Sequence, residues 1–178
     1  VQGQRVLVPV LYLANTDLSD IQVSGALING ADVNLNAGTI NNSGALRSRD
    51  TLRVTATDGD ISSTGTLAGQ YINATARRNL TNRGGHILGD TVALTAQTGS
   101  VTLETAIQQT HTGTTRQGDA DYISTSQGDK AIVQAQQLTV VAGQDINVIA
   151  ADITTTENLE LYAGNDINIE AVETRERS

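Results

Sequence analysis

The sequence predicts an all-β chain: a right-handed parallel β-helix of about seven coils, 19–22 residues each, with one polar excursion. Three observations carry this. Apolar residues recur in columns roughly twenty residues apart, they alternate with polar ones inside each unit, and the composition offers no bulky core. Of 178 residues, 17 are Gly, one is Pro and 4 are Tyr; Cys, Met, Trp and Phe are absent, and hydrophobic residues make up 38%. A core of Val, Leu, Ile and Ala must be thin and regularly packed, yet that apolar fraction is too high for simple disorder.

Five columns define the coil. The first is Leu27, Leu46, Leu67, Ile87, Ile132 and Ile153; the second is Val33, Leu52, Ile72, Val92, Leu138 and Leu159. The third is Leu35, Val54, Ala74, Leu94, Val140 and Leu161; the fourth is Ala37, Ala56, Ala76, Ala96, Ala142 and Ala163. The fifth is Ile40, Ile61, Leu80, Val101, Ile146 and Ile167. Steps within a column are 19 to 21 residues, apart from one of 45 or 46 between the fourth and fifth repeats. Alternation across columns two to four marks half-buried strands, and Gly, Asn, Asp and Ser supply the turns. Each coil is therefore expected to hold three short strands. Nothing has helical periodicity long enough to cross back over a sheet, as a leucine-rich repeat would need, and the step is not six, as in a hexapeptide helix.

Taken in order, residues 1–24 are expected to form an irregular opening coil, with Leu11 and Leu13 preceding Ile21 and Pro9 at an edge. Residues 25–104 and 130–171 are regular coils, 105–129 an extra-helical loop or hairpin, and 172–178 a frayed tail. The small fourth column suits a tight corner. Asn41, Ser62, Thr81, Thr102, Asn147 and Asn168 each follow the fifth column and are expected to form a polar ladder. One coil buries about five small side chains, worth ~1.5–3 kcal/mol each. Ordering its twenty or so residues costs ~1–2 kcal/mol apiece, so only stacking makes the unit stable. Neither end shows a capping helix. With no starting Met and no signal peptide, the whole is expected to be a single β-helix segment of a longer protein, monomeric, with open ends able to stack.

Chemistry is sparse. A net charge of −8 argues against nucleic acid and anionic membrane, and no apolar run reaches membrane-span length. Absence of Cys excludes disulfides and thiolate sites. His86 alternates outward, and His111 has no second ligand at metal spacing. Asp60, Asp145 and Asp166 share one column, and parallel β-helix lyases and glycosidases do build sites from paired carboxylates. However, Asn79 and Ser100 interrupt the column, and the Ala-Gly-x-Asp context reads as a tight turn. A β-helix lyase or hydrolase is thus the remote alternative. Asn-x-Ser/Thr sequons at Asn41, Asn73 and Asn79 follow from the Asn- and Thr-rich turns. No catalytic, cofactor or metal residue is expected, and no small-molecule substrate. Long loops on regular scaffolds carry partner contacts, which makes His111, Arg116 and Tyr122 in the excursion the candidate contact residues.

The units AGQDINV (142–148) and AGNDINI (163–169), the turns NNSGAL (41–46) and NRGGHILGD (82–90), and the opening VPVLYLA (8–14) together resemble the filamentous haemagglutinin repeat region of large Gram-negative exoproteins. The VTLETA run with its polar excursion (101–129) and the closing IEAVETRERS (169–178) are most similar to the repeats of contact-dependent growth inhibition effectors. This resemblance implies a long filament secreted through an outer-membrane two-partner secretion transporter and exposed at the outer surface of a Gram-negative bacterium. It implies a non-enzymatic shaft supporting toxin delivery to a target-cell surface, or alternatively an adhesin shaft.

Overall fold

The computed structural model describes residues 25–112 and 122–172. The opening coil expected over 1–24, with Pro9, Leu11 and Leu13, and the tail from 173 lie outside them. Six coils stack in the described residues. The first contains β1 (Leu27–Gly30), β2 (Val33–Ala37) and β3 (Ile40–Asn42); the second contains β4 (Ala45–Ser48), β5 (Thr51–Ala56) and β6 (Ile61–Ser63). The third consists of β7 (Thr66–Ala76) and β8 (Leu80–Arg83), and the fourth of β9 (His86–Ala96) and β10 (Val101–Glu104). A hairpin follows, β11 (Ile107–Thr112) and β12 (Tyr122–Gln127). The fifth coil is β13 (Ile132–Ala142) with β14 (Ile146–Ile149), and the sixth is β15 (Asp152–Ala163) with β16 (Ile167–Glu170).

Pairing between coils is parallel throughout. One sheet runs β1-β4-β7-β9-β13-β15, joined by β2 and β5, and the other runs β3-β6-β8-β10-β14-β16. The coils thus close through two sheets, the walls of the solenoid, and the aliphatic columns meet inside. From the third coil onward the first two expected strands fuse into one of 11 or 12 residues, so those coils have two strands rather than three. The corner that separates β1 from β2 carries Gly69 and Gly89 in the third and fourth coils, paired with each other. A Cβ on Gly89 would lie 2.7 Å from the Gly69 carbonyl oxygen, so a side chain there would force the third and fourth coils to shift.

Columns two to five sit in the expected register, for example Val33↔Leu52, Ile72↔Val92, Leu94↔Val140 and Val101↔Ile146. Column one needs two corrections. Ile28, not Leu27, pairs with Leu46, and Val133, not Ile132, pairs with Ile87. Both errors arise at adjacent apolar pairs, where spacing alone cannot choose; backbone pairing does, leaving Val133 at 0% exposure and Ile132 half-buried. Among column positions, Leu27, Ala37, Leu159 and Ile167 are exposed, all of them on the first or sixth described coil.

The structure adds a sixth inward column, two residues beyond the fifth: Asn42, Ser63, Asn82, Leu103, Val148 and Ile169. Its first three members are polar and buried. Asn42 donates to Ser63 Oγ at 3.1 Å and accepts from the Gly44 amide, and Asn82 donates to the Gly85 carbonyl at 2.8 Å. Leu103 and Val148 continue the column as buried aliphatics.

Candidate functional site: the acidic column and the projecting hairpin

Two carboxylates of the acidic column, those of Asp60 and Asp145, hold backbone. Asp60 Oδ1 accepts from the Asn79 amide at 2.9 Å, and Asn79 Oδ1 accepts from the Ser100 amide at 3.0 Å. Ser100 Oγ accepts from the Asp145 amide at 3.2 Å, and Asp145 Oδ1 accepts from the Asp166 amide at 3.2 Å. Asp60, Asn79, Ser100, Asp145 and Asp166 therefore form one side-chain-to-backbone ladder in which each coil caps an amide of the next. The residue changes that interrupted the acidic pattern are interchangeable here, because an Asn amide oxygen and a Ser hydroxyl accept the same hydrogen bond. Arg78 Nε lies 3.7 Å from Asp60 Oδ1. Among the described residues, no three His, Asp or Glu side chains group to hold a metal.

The expected ladder after the fifth column holds in register but forms a side-chain hydrogen bond at one step only, Asn168 Nδ2 to Asn147 Oδ1 at 2.9 Å. Coils about 4.8 Å apart are bridged at that step by paired amides. Ion pairs also link neighbouring coils, Arg83–Glu104 and Lys130–Asp152, at exposed positions where they contribute little. The exposed Arg49 guanidinium is held above its ordinary value chiefly by its hydrogen bond to Asp50.

The excursion leaves the wall through a closed neck. The Ala106 amide donates to Asp129 O at 2.9 Å, and the Gly128 amide donates to Ala106 O at 2.7 Å. Beyond it β11 and β12 pair antiparallel from Ile107↔Gln127 to Thr112↔Tyr122. Thr105, inside the expected excursion, instead belongs to the rod. It is 3% exposed, its hydroxyl donates to Ala150 O at 2.6 Å, and it accepts from the Ala131 amide at 3.4 Å. Val101, Leu103 and Thr105 share one inward face of the rod. Ala150, which receives that hydrogen bond, has φ 49°. His111 (opposite Ile123) and Tyr122 (opposite Thr112) lie on neighbouring rungs of the hairpin. Arg116 lies outside the described residues.

Residues 111–178 match the family described as Hemagglutinin repeat. Stacked parallel coils carrying that match define a hemagglutinin-repeat β-solenoid. Over 95% of its length the chain is 34% identical to the tRNA nuclease CdiA of Yersinia mollaretii, covering 6% of that protein. It is 33% identical over 86% of its length to the 16S rRNA endonuclease CdiA of Enterobacter cloacae subsp. cloacae, covering 5% of that protein. It is 32% identical over 96% of its length to the tRNA nuclease CdiA of Escherichia coli O6:K15:H31, again covering 5%. The chain is a hemagglutinin-repeat region of CdiA-like type. It spans only 5–6% of the length of these curated relatives. No solved structure matches it.

Proposed function

We propose that this chain is a non-enzymatic shaft segment of a filamentous exoprotein that supports contact-dependent toxin delivery between Gram-negative bacteria. The observation that carries this reading is the unbroken register. Val92↔Leu138 and Val101↔Ile146 pair directly although 45 or 46 residues separate them, so the rod continues past the hairpin without a break. A repeat that passes its register from coil to coil makes length, and length is what spans a gap between two cells. The acidic ladder is spent on backbone amides, which favours the structural over the lyase or hydrolase reading. In this reading the nuclease activity named for the relatives resides outside the segment, the whole exoprotein leaves through an outer-membrane two-partner secretion transporter, and the filament stands on the outer cell surface. His111, Arg116 and Tyr122 remain the proposed contact residues of the excursion.

The test removes one coil in register from the exoprotein that carries this segment. Deleting residues 75–94 joins Ala74 to Thr95 and preserves the inward–outward alternation, because Ala74 pairs with Leu94. Surface display, read by protease shaving, and growth inhibition of co-cultured target cells are both expected to persist. Inhibition lost with display intact would show that the segment is more than a spacer.

A further inference from the structure

The rod treats its Asn-x-Ser/Thr sequons at Asn41, Asn73 and Asn79 differently. The sequon of Asn73 does not lie in a turn, since Asn73, Ala74 and Thr75 all belong to β7 on the first wall. Alternation sends Ala74 into the core and sets Asn73 and Thr75 side by side on the outer face. There the Thr75 hydroxyl donates to Asn73 Oδ1 at 2.9 Å. Asn73 is exposed, and its neighbours in register are Arg53 on the second coil and Ala93 on the fourth. Among the described residues its Nδ2 donates to no acceptor. Asn79 is spent by contrast. Its Oδ1 accepts the Ser100 amide and its Nδ2 donates to Asp60 Oδ1 at 3.2 Å, so a sugar there would crowd a rung of the ladder. Asn41 is exposed, but β3 ends at Asn42, and Ser43 in the corner beyond makes no hydrogen bond to Asn41 among the described residues.

We propose that Asn73 is an N-glycosylation site, the sequon that carries a sugar with the rod intact. The donor is a sugar activated as a glycosyl diphosphate ester, brought to the chain by a glycosyltransferase. Asn73 Nδ2 attacks the anomeric carbon and forms the C–N bond. The bond from that carbon to the diphosphate oxygen breaks, the diphosphate leaves with the electron pair, and the proton lost from Nδ2 passes to a base of the transferase. An amide nitrogen is a weak nucleophile, because its lone pair is delocalised into the carbonyl. A hydroxyl that donates to Oδ1 stabilises the imidate formed as the proton leaves, and so activates Nδ2. Thr75 makes that bond. The contact is local to one extended strand, so the segment can form it before the coils close around it. The attached sugar projects from the outer wall into water. This inference goes beyond the shaft reading and is tested separately from it, because occupancy is read on one peptide whatever the filament does.

Tryptic digestion of the exoprotein, purified from the bacterium that makes it, separates the three sequons. Asn41 falls in 6–47, Asn73 in 54–77 and Asn79 in 79–83. By mass spectrometry, peptide 54–77 is expected to carry added sugar, lost with Asn73→Gln or Thr75→Ala and kept with Thr75→Ser. All three variants should still unfold cooperatively, so that loss of the sugar is not loss of the fold. Peptide 54–77 without sugar overturns the proposal. A sugar on 79–83, or greater occupancy of 6–47 than of 54–77, overturns the choice of Asn73. A sugar retained in Thr75→Ala overturns the role of the hydroxyl.

Discussion

At the scale of single residues, what counts in this chain is the hydrogen bond a side chain can make to the next coil. Asp145 accepts the Asp166 amide, while Asn79 accepts the Ser100 amide with a neutral side chain. Asp145→Asn is therefore expected to melt within a degree or two of the parent protein, whereas Asp145→Ala loses about 1 kcal/mol. Thermal denaturation of both variants checks this, and an Asn variant as unstable as the Ala variant would mean that the charge matters. Leu94 makes the opposite case. It is fully buried in the third column, and Leu94→Asp would place a carboxylate where no buried partner stands ready. Its expected cost is about 3 kcal/mol or more, seen as a collapsed urea midpoint. A variant that unfolded at the parent midpoint would show that position 94 faces solvent.

At the scale of elements, two corners carry most of the information. Where the sixth column is Asn42, Ser63 and Asn82, the following corner is Gly44, Gly65 and Gly85, with coil backbones in such close approach that a Cβ on Gly65 would fall 1.9 Å from Gly44 O. Where the column becomes Leu103 and Val148, the corner becomes Ala131 and Ala151. The two columns change together, from side-chain amides bonded to a tight glycine corner to aliphatics packed beside alanine. The change occurs at the coil that carries the hairpin. Because Ala106 and Gly128 close the neck, everything beyond it is expected to be dispensable for folding. Replacing residues 108–126 with an Asn-Gly turn should leave the melting temperature nearly unchanged. Removing all of 105–129 should lower it by contrast, because Thr105 goes too, and with it the hydrogen bonds to Ala150 and Ala131. Equal melting temperatures for the two variants would refute the role assigned to Thr105.

At the scale of the whole molecule, the protein is a one-dimensional stack, and its stability depends on phase as well as composition. Deleting residues 75–94 keeps every side chain on its face, so a five-coil rod is expected to fold with a lower urea midpoint. Deleting 75–93 instead joins Ala74 to Leu94, sets two inward residues side by side, and turns the rest of that strand over. That variant is expected to lose cooperative unfolding although it retains one residue more. Similar transitions for the two deletions would mean that the coils re-register freely.

The sequence by itself determined the repeat, the parallel pairing and four of the five columns, because a side chain that must alternate and recur leaves its period in the letters. Through the Asn and Ser that interrupt it, the sequence also read the acidic column as turn chemistry, and in the structure Asp60 and Asp145 accept amides of the next coil. Only the tertiary structure decided between Leu27 and Ile28, and between Ile132 and Val133, since adjacent apolar residues differ in burial only once the backbone is paired. Only the structure, too, revealed the sixth column and the place of Thr105. A buried Asn, Ser or Thr looks like surface in a sequence, and it belongs to the core only when the coil above or beside it supplies the hydrogen bonds it would otherwise take from water.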